Sequence, residues 1–216
     1  EVVKVQHTAC WTGYTRVRAR VGGGADRDGY GVVVPEVLTA QHDDPQMQIV
    51  LGELDEAAVE HWLFHGTTAA AVSNITDTDF RMDLAGTHRG TLYGKGLYLA
   101  ECSSKADEYA DVERDGLCRM LLCRATLGRI LADNAVRPNG EELTARCISG
   151  YDSLCGDRWS AVGTYREFVL YNTGQVYPAY IICYRRVMQA DFLRAVGASA
   201  LQQQQQQDGG GGGTGT

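Results

Sequence analysis

Leu63-Phe64-His65-Gly66-Thr67 is the stretch on which the reading of the fold turns. Trp62 to His65 are large and mostly apolar or aromatic, the composition of a β-strand, and Gly66 is expected to stop it. Thr67 or Thr68 then caps a short helix running through Ile75, rich in Ala69, Ala70 and Ala71. A histidine on such a strand has two readings. It is either a core histidine with its ring nitrogens satisfied or a residue that reaches a site, and His65 taken alone leaves both open.

Upstream, Val2-Val3-Lys4-Val5 reads as a short strand by its β-branched content. Trp11, Tyr14, Val17 and Val21 recur at steps of three and four, which predicts an amphipathic helix. The glycine-rich run Gly22 to Gly29 lacks the Gly-Lys-Ser/Thr ending and the preceding strand of a phosphate-binding loop, so it is expected to be a surface loop. Asp55 to Glu60 reads as a helical turn leading into the strand that holds His65.

Downstream, Asp77 to Leu92 is polar and glycine-punctuated, a predicted loop, followed by Tyr93-Gly94-Lys95-Gly96-Leu97-Tyr98-Leu99-Ala100. Ser104-x-x-Asp107 fits a loose capping box, which predicts a helix over Lys105 to Val112. Arg119 to Ala125 is a strand candidate, and Asp133 to Gly163 is expected to be mostly loop. Glu167 to Tyr171 and Val176 to Tyr184 read as two strands of a hairpin joined through Asn172-Thr173-Gly174, with Pro178 marking an edge or a bulge. Glu167 stands among Phe168, Val169 and Tyr171. A carboxylate there is costly to bury unless something pairs with it. It is therefore either solvated at the strand start or held for a purpose.

The 216 residues suit one domain, and 20 basic against 27 acidic residues leave a formal charge of −7. That balance argues against duplex DNA binding driven by phosphate neutralisation. No apolar run approaches a membrane span. Seven cysteines, widely spaced and without a C-x-x-C pair, suit free thiols in a reducing compartment better than a disulfide framework or a zinc site. An intracellular location, nuclear or cytoplasmic, is expected. Gln202–Gln207 and Gly209–Gly213 are low-complexity, so residues 1–195 are expected to fold and 196–216 to form a disordered tail. The chain opens on Glu1 with no secretion signal and reads as a piece of a longer protein.

The three patterns around His65, Tyr98 and Glu167, in that order and spacing, resemble the catalytic domain of the poly(ADP-ribose) polymerase family, the diphtheria-toxin-like ADP-ribosyltransferases. The resemblance runs from about Val3 to Arg186 and includes Lys105-Ala106-Asp107-Glu108-Tyr109 after the second signature. It implies an α/β (α+β) fold of two packed, mostly antiparallel sheets with short flanking helices. It implies NAD⁺ as substrate, no metal, and a protein acceptor for ADP-ribose. His65, Tyr98 and Glu167 would form the catalytic triad. His65, Gly66, Thr67, Arg81, Tyr98, Ala106 and Tyr109 would line the NAD⁺ site, with Tyr98 and Tyr109 around the nicotinamide and Arg81 toward the adenosine end.

The chemistry agrees with these residue types. Loss of nicotinamide from a ribose develops positive charge on the sugar, as in glycoside cleavage. A carboxylate fixed beside the 2′-hydroxyl stabilises that charge more in the transition state than in the ground state. Tyrosine faces suit a flat heteroaromatic ring. One departure stands out. Many family members carry a serine where this chain has Ala106, and its missing hydrogen bond is expected to weaken nicotinamide binding by roughly 0.5–1.5 kcal/mol. The stretch before His65 is too short for a helical autoinhibitory subdomain, so that style of regulation is expected to be lacking unless the chain is a piece cut to omit it. Two other readings compete with transfer to a protein, single or polymeric. One is a catalytically weak module that binds NAD⁺, ADP-ribose or a protein partner. The other is an NAD⁺ glycohydrolase that uses water. The sequence is silent on oligomeric state.

Overall fold

Two four-stranded sheets form the body of the fold, one ordered Val2–Lys4, Val176–Tyr184, Cys118–Thr126, Glu60–Gly66 and the other Leu97–Leu99, Glu167–Leu170, Ser153–Gly156, Ile130–Asp133. The computed structural model describes residues 1–23, 37, 39, 51–85 and 91–187. The strands are β1 (Val2–Lys4), β2 (Glu60–Gly66), β3 (Leu97–Leu99), β4 (Cys118–Thr126), β5 (Ile130–Asp133), β6 (Ser153–Gly156), β7 (Glu167–Leu170) and β8 (Val176–Tyr184). The helices are α1 (Thr8–Gly22), α2 (Ala69–Asp77), α3 (Ser103–Asp107), α4 (Gly140–Gly150) and α5 (Arg158–Val162), with one-turn 3₁₀ segments at Glu56–Ala58 and Thr173–Gln175. Every strand pair is antiparallel except β5 with β6. The two mostly antiparallel sheets with short helices are those expected.

Strand alternation places the core. Leu63 of β2 and Leu121 and Cys123 of β4 meet Leu97, Leu99, Cys155, Phe168 and Leu170 of the second sheet. On the far face of the first sheet, α1 packs Cys10 and Tyr14 against Trp62, Tyr177 and Tyr180. On the far face of the second, Leu143 and Cys147 of α4 cover Leu131, Leu154 and Val169, together with Tyr93. All seven cysteines are free thiols.

Much of the local reading holds. Thr68 is the cap of α2, its Oγ1 accepting from the Ala71 amide at 3.2 Å. In α1 the predicted stripe faces inward, with Tyr14 fully buried and Trp11 edge-on to Tyr177 at 4.9 Å. Pro178 marks a bulge in an interior strand, because β8 lies between β1 and β4. Leu122 pairs with Tyr180 and Cys123 with Pro178, so Ala179 is the extra residue. The added residue resets the alternation, and Tyr177 and Tyr180 both face α1.

Three expectations are corrected. Glu167–Tyr171 and Val176–Tyr184 do not pair as a hairpin. β7 has both edges filled by β3 and β6, while β8 belongs to the other sheet, so the intervening turn is a crossover. The buried Gln175 amide pins that crossover by donating to the carbonyls of Thr126 at 2.9 Å and Asp152 at 3.0 Å. Asp133 to Gly163 is largely ordered into α4, β6 and α5 rather than loop. Asn139 caps α4 through the Glu142 amide at 3.3 Å, and Glu141 and Glu142 complement the dipole of its first turn. Finally, the Ser104 capping box does not form. Cys102 is the cap residue of α3, without a side-chain cap bond, and the helix ends at Asp107 instead of reaching Val112. The expected tail at 196–216, its boundary near residue 195, and most of the glycine-rich loop after Gly23 lie outside the described residues.

The first sheet carries a buried polar hub. The Glu60 side chain is fully enclosed and accepts from Arg124 Nε at 2.7 Å, from the Asp55 amide at 2.7 Å and from the Tyr14 hydroxyl. Burial and the Glu60 carboxylate both push the Tyr14 hydroxyl pKa up. Removing one partner from such a buried cluster leaves the others uncompensated. Glu60→Ala is therefore expected to lower unfolding free energy by about 3–5 kcal/mol in urea titrations. Asp83→Ala, which breaks the exposed pair with Arg81, is expected to leave the midpoint unchanged.

Candidate functional site

The two sheets meet where β2 ends and β3 ends. Phe64 and Ala100 exchange both backbone hydrogen bonds, at 2.7 and 2.9 Å. One residue along, the His65 ring meets the Tyr98 carbonyl through Nδ1 at 2.9 Å and stands edge-on to Phe80 at 5.3 Å. Burial holds the His65 pKa below its ordinary value, so the ring is neutral at pH 7. The partnered Nδ1 fixes the plane of the imidazole.

Gly66 follows directly, and its lack of a side chain is required. A Cβ there would collide with the Ala106 carbonyl, because α3 lies against the end of β2. Ala106 itself is buried. Thr67 is half-buried at the turn into α2.

Tyr98 lies on β3 opposite Val169, two residues from Glu167 on the same face of the sheet. Its hydroxyl donates to the Gly94 carbonyl at 2.7 Å and accepts from the Tyr93 amide at 2.9 Å. The Tyr171 hydroxyl donates to the Tyr93 carbonyl at 2.8 Å. Both polar groups of the Tyr93 peptide are thus held, and the second signature is anchored to the sheet.

Glu167 opens β7 and is 8% exposed, so it is not the solvated strand-start residue that its position allowed. Burial raises its carboxyl pKa above the ordinary 4.5, and the Lys105 ammonium at 3.6 Å opposes that rise. Lys105 also pairs with Glu108 at 2.8 Å and stands over the Tyr109 ring at 5.3 Å. Although burial works against its charge, the Glu108 and Glu167 carboxylates keep it protonated. Lys105 lies in the segment that carries the family resemblance, but no role in the site was assigned to it from the sequence. The only signal for it was the buried carboxylate itself, which called for a cation without saying which.

The structure therefore gathers His65, Gly66, Tyr98, Ala106, Tyr109 and Glu167 around the seam, with Lys105 among them. Arg81 is oriented differently. It follows Phe80, but its guanidinium is exposed and forked onto Asp83. A cleft of about 730 Å³ adjoins the Tyr93–Gly94 turn, walled by Thr91, Gly94, Lys95, Asn139 and Gly140. None of the sequence-predicted site residues lines it. No group of metal-ligating side chains and no helix long and apolar enough to cross a membrane occurs among the described residues.

The chain is 34% identical over 131 residues to the human protein mono-ADP-ribosyltransferase PARP12, covering 60% of this chain and 18% of that protein. It is 23% identical over 159 residues to the Caenorhabditis elegans poly [ADP-ribose] polymerase tankyrase, covering 58% of this chain and 7% of the relative. The mouse protein mono-ADP-ribosyltransferase PARP11 matches at 26% over 144 residues, 57% of this chain and 41% of that protein. The chain thus spans less than a fifth of the length of PARP12. A family model described as the poly(ADP-ribose) polymerase catalytic domain matches residues 1–150, a span that includes His65 and Tyr98 and stops before Glu167. By that match the chain belongs to the poly(ADP-ribose) polymerase catalytic domain family.

Proposed function

We propose that this chain cleaves the bond between nicotinamide and ribose in NAD⁺ and transfers the ADP-ribose to a protein acceptor. The observation that carries this reading is Glu167. It is a buried carboxylate on the same sheet face as Tyr98, balanced by Lys105.

In this reading the nicotinamide ring lies between Tyr98 and Tyr109, and its carboxamide reads the backbone at Gly66. Neutral His65 hydrogen-bonds the adenosine-side ribose, and Thr67 borders that end of the site. The glycosidic bond breaks with its electron pair going to the ring nitrogen, so nicotinamide leaves neutral. The ribosyl cation that develops is stabilised by the Glu167 carboxylate, which accepts the hydrogen bond of the 2′-hydroxyl. Removing one such interaction typically costs about 3–4 kcal/mol of transition-state stabilisation. The acceptor nucleophile then bonds to C1′ and gives up its proton. Lys105 keeps Glu167 ionised and in place. Arg81 reaches the adenosine end only if it exchanges Asp83 for the substrate.

The −7 charge bears on binding, since the pyrophosphate must be held against the net field of the chain. Bulk attraction does not hold it, so local groups at the site have to. Nucleic acid is not an expected partner of this chain. The free thiols support an intracellular setting, nuclear or cytoplasmic. Residues 196–216 are proposed as a tail outside the catalytic unit. Glu167 is compatible with chain elongation as well as single transfer, and the relatives include proteins named for each.

Incubation with labelled NAD⁺ tests the reading. Label is expected on protein with the wild type and reduced by about 10²–10³-fold with Glu167→Gln. Free ADP-ribose without labelled protein would instead mean hydrolysis, and the length of the labelled ladder reports single or repeated addition. The pH dependence is a second test. Only the ionised carboxylate stabilises the developing cation, so kcat is expected to fall on the acid side with a midpoint above 4.5. Lys105 favours the carboxylate, so Lys105→Met should move that midpoint to higher pH. An unmoved acid limb would remove Lys105 from the site.

A further inference from the structure

Immediately beside the site lies a second buried charge pair that the chemistry above does not use. Arg166 Nε donates to Glu101 Oε1 at 2.6 Å, and its second nitrogen donates to Oε2 at 2.7 Å. The fork is complete and both side chains are buried, at 7% and 3% exposure. Its place in the chain is what gives it meaning. Glu101 follows Ala100, the residue that joins the sheets at Phe64, and stands three residues after Tyr98. Arg166 directly precedes Glu167. The β3–β7 register runs Leu97 to Leu170, Tyr98 to Val169 and Leu99 to Phe168. Continued by two steps, it sets Ala100 against Glu167 and Glu101 against Arg166. The ion pair thus carries on the ladder by side chains at the point where the backbone pairing of β3 stops.

We propose that Glu101 and Arg166 are positioning residues for Glu167: their bidentate pair fixes the start of β7 against the end of β3, and with it the distance of the Glu167 carboxylate from Tyr98 and Lys105. Stability alone is a poor reason for the pair, because well-packed apolar residues serve a core as well or better than a buried ion pair. Planar guanidinium-to-carboxylate geometry supplies what apolar packing lacks, a defined register and orientation. Arg166 cannot reach substrate in this arrangement, since its fork is occupied by Glu101, so it acts through its neighbour. The proposal rests on the ADP-ribosyl transfer reading for its kinetic consequence. Its geometric claim concerns Glu167 alone.

The test compares Arg166→Lys, which keeps the charge and loses the fork, in the wild-type and Glu167→Gln backgrounds. Nicotinamide release is followed as kcat and KM for NAD⁺, and folding by the thermal transition. If positioning is the role, Arg166→Lys lowers kcat about tenfold or more, leaves KM within about threefold, and changes the Glu167→Gln enzyme by less than about twofold, because the group it places is already gone. Equal losses in both backgrounds, a loss confined to KM, or an unchanged kcat would overturn the proposal. Should Arg166→Lys fail to fold, the paired Glu101→Leu/Arg166→Met variant takes its place under the same criteria. A wild-type chain that releases no nicotinamide defeats the transfer reading instead. The positioning claim is then decided by carboxyl-carbon NMR of Glu167: a titration midpoint shifted by Arg166→Lys supports it, and an identical midpoint overturns it.

Discussion

Two backbone hydrogen bonds between Phe64 and Ala100 hold the site together. They are the point where a strand of the first sheet meets a strand of the second, and the candidate site residues are set out from them. His65 is the next residue on one side and reaches across to the Tyr98 carbonyl. Gly66 comes one further and admits α3, which brings Ala106, Lys105 and Tyr109. On the other side β3 passes its register to β7 and fixes Glu167. A change in the angle between the sheets would displace all of these groups together. The large shared core of Leu63, Leu99, Leu121 and Phe168 resists such a change.

The electrostatics follow from that placement. A strand that is buried on both faces begins with a carboxylate, and burial pushes it toward the neutral form. Lys105, from a one-turn-and-a-bit helix far away in sequence, stands near enough to oppose this. The enclosure also lets the carboxylate act on charge that develops at a substrate, because interactions in a desolvated site are stronger than in water. Burial and pairing work in opposite directions on Glu167, and the balance between them sets the pH range in which the carboxylate is available.

The parts of this arrangement that were legible in the sequence are those fixed by short-range chemistry. The apolar run at Trp62–His65, the threonine cap of α2 and the bulge at Pro178 each follow from a few adjacent residues. The crossover after β7 was not legible for the same reason. Asn172-Thr173-Gly174 between two apolar runs looks alike whether the strands pair or part, and the distinction lies in the side chain of Gln175 and in edges already filled by β3 and β6. The signs of α4 were present in Asn139, Glu141 and Glu142 and in Leu143 and Cys147 four apart, but Gly140 and Gly150 masked its ends. Lys105 with Glu167, and Glu101 with Arg166, are pairs between distant segments. Burial of a charge predicts that a partner exists, and only the fold says which residue it is. The order of His65, Tyr98 and Glu167 was readable because a family resemblance supplied the long-range information that local patterns lack.

The most direct measurement is a crystal structure of the chain with an NAD⁺ analogue whose glycosidic bond cannot break. The nicotinamide ring is expected against Tyr98, its carboxamide on the Gly66 backbone, and the ribose 2′-hydroxyl about 3 Å from the Glu167 carboxylate. An analogue seated instead in the cleft between Lys95 and Asn139, with Glu167 still paired only to Lys105, would contradict this placement.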